Sequence, residues 1–106
     1  MTTDPFTVDT ALWHPADRRG VARHLDRAAR EQPPRIAAAL TAIATAARDT
    51  TRPLTADLTA LEATDRNDLA TALNDTLMAA RHHGDPVRDA LIQVVADYMH
   101  WLRHTR

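Results

Sequence analysis

Proline placement constrains this chain more than any other feature. Pro15, the pair Pro33-Pro34, Pro53 and Pro86 stand between Ala- and Leu-rich stretches whose apolar residues recur at helical spacing. A proline breaks a helix interior or a central strand, yet suits a first helical turn, where the missing N–H has no partner to lose. The chain therefore reads as helices entered at prolines. Helix 1 is expected over residues 15–32, stopped by Pro33-Pro34, and helix 2 over 34–49, with Ile36, Leu40, Ile43 and Ala47 on one face. The Thr-rich stretch 49–53 is a turn, and Leu54, Leu58 and Leu61 suggest one or two further helical turns. Thr64-Asp65 reads as the N-cap of helix 3, over 65–82, with a stripe of Leu69, Leu73, Leu77 and Ala80. The sharpest boundary is His83-Gly84-Asp85-Pro86: a C-cap glycine, an N-cap and a first-position proline opening helix 4 over 86–103. No strand pattern stands out. The expected fold is all-α, a four- or five-helix bundle, with an irregular N-terminal arm over 1–14 and one helical domain over 15–106.

Composition narrows the function by exclusion. All 13 basic residues of the 106 are Arg, and Ser and Cys are absent, so thiol and serine nucleophiles, thiolate metal sites, disulfides and a Schiff-base lysine are ruled out. Two glycines, Gly20 and Gly84, cannot build a phosphate-cradling loop. The Glu-x-x-His pairs of di-iron bundles are missing. No enzymatic activity and no cofactor are expected. The longest uncharged stretch, 36–47, is far short of the roughly 20 residues of a membrane span, so no membrane partner is expected. The opening MTTDPFTVDT has neither the basic nor the apolar region of a secretory signal, so a cytoplasmic location is expected.

Helix 4 carries more apolar surface than one helix face needs. At about 100° per residue, Ala90, Trp101, Val94, Val87, Tyr98, Leu91, Leu102, Val95, Met99 and Ile92 fill one arc of roughly 200°, where a surface helix uses a stripe little wider than about 100°. Either neighbouring helices cover it from two sides or another molecule does. The expected partner-binding residues are Leu91, Ile92, Val95, Tyr98, Met99, Trp101 and Leu102, joined by Trp13 of the arm. The partner is a second protein or a second copy, and Ile92, Val95, Met99 and Leu102 form the expected seam.

Helix 1 offers an alternative. Arg19, Arg23, Arg27 and Arg30 lie within about 80° of one another, opposite Val21, Leu25, Ala28 and Ala29. Such a ridge suits a phosphate backbone in a small nucleic-acid-associated regulator of the antitoxin kind. Without a helix-turn-helix unit or interleaved aromatics, any such contact is expected to be weak, sequence-tolerant and salt-dependent. Asp26 and the acidic stretch 49–75 would neutralise part of the ridge. Asp97, His100 and His104 share a face of helix 4, but an exposed one, and no metal site is assigned there. In an up-down bundle Trp13, His14, His100, Trp101 and His104 would gather at one end. His82 and His83 read as favourable charges near a helix C-terminus.

Overall fold

The computed structural model describes residues 5–80 and 85–104. In chain order the elements are strand β1 (Phe6–Val8), helices α1 (Pro15–Ala29) and α2 (Pro34–Arg48), strand β2 (Leu54–Ala56), and helices α3 (Ala63–Ala79) and α4 (Pro86–His104). Of the described residues 69% are helical, in four helices, and the others include one small two-stranded sheet.

Three of the four helices begin on a proline, as the chain's punctuation requires. Before α1 the Asp17 carboxylate accepts the His14 N–H at 3.1 Å, holding the first turn. Before α4 the Asp85 carboxylate accepts the Val87 N–H at 2.9 Å, the expected N-cap role. Gly84, expected as the C-cap just before it, lies outside the described residues, as do His82 and His83. Helix α1 ends at Ala29, earlier than its prolines alone suggest. The amides of Arg30, Glu31 and Gln32 reach back only three residues, so the exit is a tight 3₁₀-like turn. Helix α3 starts at Ala63, with Glu62 rather than Thr64 in the capping position and no side-chain cap.

The sheet corrects two expectations. Residues 1–14 are not wholly irregular, because Phe6–Val8 pairs antiparallel with Leu54–Ala56 in the register Phe6↔Ala56, Thr7↔Thr55, Val8↔Leu54. Nor is 54–62 helical. The four-residue spacing of Leu54 and Leu58 also fits an extended chain, in which Leu54, Ala56 and Leu58 all point inward and Thr55 and Asp57 outward, while Leu61, at an odd spacing, belongs past its end. A bend follows, pinned by Asp57 Oδ1, which accepts from both the amide and the hydroxyl of Thr59.

Strand β1 completes the cover of α4. Helix α1 crosses it closely at Gly20, where a Cβ would come within 2.5 Å of Val87 Cγ2. Val87 is β-branched and stiff in a helix, so only glycine permits that approach. Seven residues before Gly20, just ahead of α1, the Trp13 indole donates to Gln93 Oε1 at 2.9 Å, so α1 begins opposite the middle of α4. The C-terminal half of α4 runs on past the start of α1, and β1 covers it instead. Phe6 meets Tyr98 edge-on with ring centroids 5.7 Å apart and Trp101 at 6.3 Å. Such contacts add about 0.5–1.5 kcal/mol per pair beyond burial.

One charged side chain lies inside this junction. Arg18, 4% exposed, donates through Nε to the Ala47 carbonyl at 2.7 Å and through Nη2 to the Ala46 carbonyl at 3.0 Å. Its Nη1 reaches the Arg52 carbonyl at 3.0 Å and the Thr10 hydroxyl at 3.2 Å. A guanidinium presents these donors in a rigid fork, and the last carbonyls of α2 are the negative end of that helix. Arg18 thereby ties α1, the end of α2, the lead into β2 and the N-terminal segment together.

A candidate interaction surface on the last helix

The apolar arc of α4 is divided in two. Ala90, Leu91, Val94, Tyr98 and Trp101 are buried by the protein's own chain. At about 100° per residue they span roughly 100°, an ordinary helix stripe. Leu91, Tyr98 and Trp101, expected at a partner interface, are therefore core residues in this fold, and β1, absent from the sequence-based picture, sets Phe6 against the last two. Tyr98 is fully enclosed, and its hydroxyl donates to the Arg66 carbonyl at 2.6 Å. Burial pushes that phenol up to about 12, partly opposed by the positive charge of Arg66. Trp13 is half-buried, its one donor committed to Gln93, whose own amide donates to the Asp9 carbonyl.

The rest of the arc stays outside. Ile92 is 40% exposed and Met99 37%, while Val95 and Leu102 are half-buried against the edge of the core. The Arg66–Tyr98 bond shows that α3 lies along that edge. These four side chains stand at i, i+3, i+7 and i+10, an a/d pattern that forms a line along the helix. Ten residues of helix make it about 15 Å long. Among the described residues the other large exposed apolar side chains are Leu12, in the turn between β1 and α1, and Met78, on α3.

The arginine ridge is fully outside as well. Arg19, Arg23, Arg27 and Arg30 are all exposed, and none forms an ion pair among the described residues. Asp26, expected to neutralise part of the ridge, is engaged by Arg48 at 2.7 Å. The neighbouring His24 is held below its ordinary pKa by partial burial, with the positive charges of Arg27 and Arg23 adding to the effect and Asp85 opposing it.

The remaining polar clusters have local explanations. His100 and His104 stack with ring centroids 4.4 Å apart on the exposed side of α4. No three metal-ligating side chains converge among the described residues, so Asp97 does not complete a set with them. The expected gathering of His14, Trp13 and Trp101 at one end dissolves, because Trp13 turns to Gln93 and Trp101 to Phe6. Asp49 is drawn down to about 2 by hydrogen bonds from Thr51 and Arg52, which close the turn after α2. Beside that turn an open groove of about 720 Å³ runs between α2 and β2, floored by the small side chains of Ala38, Thr41, Ala42 and Thr45. No described helix is long and apolar enough to cross a membrane.

Sequence reasoning missed Arg18 and Phe6. For Arg18 a signal existed: it shares the i, i+3, i+4, i+7 face of Val21, Ala22 and Leu25, where a charge needs an explanation. Phe6 gave none, since its three-residue strand pairs with a segment 48 residues away. Comparisons with protein-family models, with curated proteins and with solved structures found no match to this chain.

Proposed function

We propose that this protein is a small cytoplasmic interaction or regulatory module that binds another protein through the outer line of α4. One observation carries this reading: Ile92 and Met99 stand well exposed in line with Val95 and Leu102, while the chain buries even an arginine elsewhere. Apolar and Met-bearing surface of this kind is what adaptable protein contacts use. A proteome pull-down with the intact chain, set against its Met99→Glu variant, tests it. A partner retained by the first and lost by the second, with unchanged circular dichroism, is the expected result. Equal capture by both counts against α4 as the contact.

A second reading rests on Arg19, Arg23 and Arg27 of α1 and Arg30 just past its end, all exposed and without an ion pair among the described residues. As a nucleic-acid contact the ridge would act through phosphates, with affinity falling steeply as salt rises. Replacing Arg19, Arg23 and Arg27 by Gln should abolish retention on DNA and on heparin. Unchanged retention removes this reading.

A further inference from the structure

We infer that the occupant of the α4 line is a second copy of this chain, its α4 antiparallel to the first about a twofold axis. The inference rests on α4 being an interaction surface and adds what lies against it. With Ile92 and Met99 as a positions and Val95 and Leu102 as d positions, an antiparallel partner sets Ile92 opposite the partner's Leu102 and Val95 opposite the partner's Met99. The pattern matches itself when reversed, since each a residue meets a d residue and all four are apolar.

The charges beside the line are self-complementary in the same register. Asp89, Ala96 and Arg103 occupy the e positions on the solvent side, while the opposite edge is taken by the buried Leu91 and Tyr98. A twofold axis perpendicular to antiparallel helices brings each e edge against the same edge of the partner. Asp89 then faces the partner's Arg103, Arg103 faces the partner's Asp89, and Ala96 meets the partner's Ala96 at the axis, where a small residue allows close approach. Asp89 and Arg103 are both exposed, and neither forms an ion pair among the described residues of its own chain. A parallel pair would instead turn each e edge towards the partner's opposite edge, where Leu91 and Tyr98 are buried, and Asp89 and Arg103 would find no counter-charge across the seam.

Asp89 in the first turn of α4 and Arg103 in the last also suit the helix dipole, so the test must separate the two roles. Sedimentation equilibrium on the full chain, from micromolar to submillimolar concentration, should show a monomer–dimer equilibrium. Asp89→Arg and Arg103→Asp should each weaken the dimer roughly tenfold, because each spoils two symmetric pairs. The double variant should recover association to within about threefold of the parent. A role for these charges in the dipole alone predicts the reverse, with the double variant the least helical and no recovery. A parent chain that stays monomeric overturns the second-copy inference, and the pull-down then judges the interaction surface independently. A dimer lost in Met99→Glu but blind to the charge swap overturns the antiparallel register while sparing the surface. A dimer that survives Met99→Glu overturns the inference and counts against α4 as the contact.

Discussion

The inner and outer sides of α4 are built to different standards. On the inner side every contact is specified: Gly20 leaves room for Val87, Phe6 sets its ring against Tyr98 and Trp101, and the Tyr98 hydroxyl has its carbonyl. No buried side-chain nitrogen or oxygen among the described residues lacks a partner. On the outer side, roughly 100° further round the helix, Ile92 and Met99 meet water, and Asp89 and Arg103 have no counter-ion among the described residues. A chain with too little bulk to enclose everything does not spread that shortage evenly. It closes one side of its last helix and leaves the other unfinished along a single line, which is how a binding face differs from scattered exposed residues.

The largest effect should come from the closed side. Arg18→Ala leaves the carbonyls of Ala46, Ala47 and Arg52 without their donor at the junction of four chain segments. A loss of about 3–4 kcal/mol is expected in urea unfolding, a serious fraction of the roughly 5–15 kcal/mol such a domain holds. Arg18→Lys keeps the charge but not the fork, and should restore less than half of it. Arg19→Ala, one residue further on the same helix and fully exposed, should change stability by less than about 0.5 kcal/mol. Equal costs at positions 18 and 19 would erase the contrast between a structural arginine and a free one.

A smaller effect reports on the same side through pH. An unfolded tyrosine ionises near 10, whereas Tyr98 in its enclosure is pushed up to about 12. Between those values the unfolded chain has released a proton that the folded chain still holds, so stability falls as pH rises through this window. Below about pH 10 the contribution is complete. Tyr98→Phe should cost about 1 kcal/mol at neutral pH, from the lost bond to the Arg66 carbonyl, and should flatten the decline between pH 10 and 12. Unfolding curves measured across that range decide it: a decline that persists in the phenylalanine variant assigns it to other groups.

What could be read from the sequence follows the range of the forces involved. Pro15, Pro34, Asp85 and Pro86 act within a turn of themselves, and the helix starts they imply are where the structure has them. The sheet depends on Phe6–Val8 meeting Leu54–Ala56, and a three-residue alternation is too short to tell from chance. Leu54 and Leu58 misled for the same reason, since a spacing of four serves a helix and an extended chain alike. The candidate surface was half legible. Periodicity exposed the excess on α4 but not how the chain divides it: Leu91, Tyr98 and Trp101 are buried, the last two against the unread strand's Phe6, while Ile92, Val95, Met99 and Leu102 stay at or near the surface.

On α4 itself the smallest stability change should come from the outer line, and its smallness is informative. Met99→Glu replaces one good helix former by another at a side chain already 37% exposed. It adds a negative charge towards the helix C-terminus, where the dipole mildly disfavours one. The expected cost is about 0.5 kcal/mol, far below that of any core truncation. A binding residue and a packing residue differ in this way: the first can be made charged with little harm to the isolated chain and large harm to its complex. Should Met99→Glu cost as much as Arg18→Ala, Met99 would be acting as core. The two sides of α4 would then be one continuous packed surface, and the division that singles out its outer line would be lost.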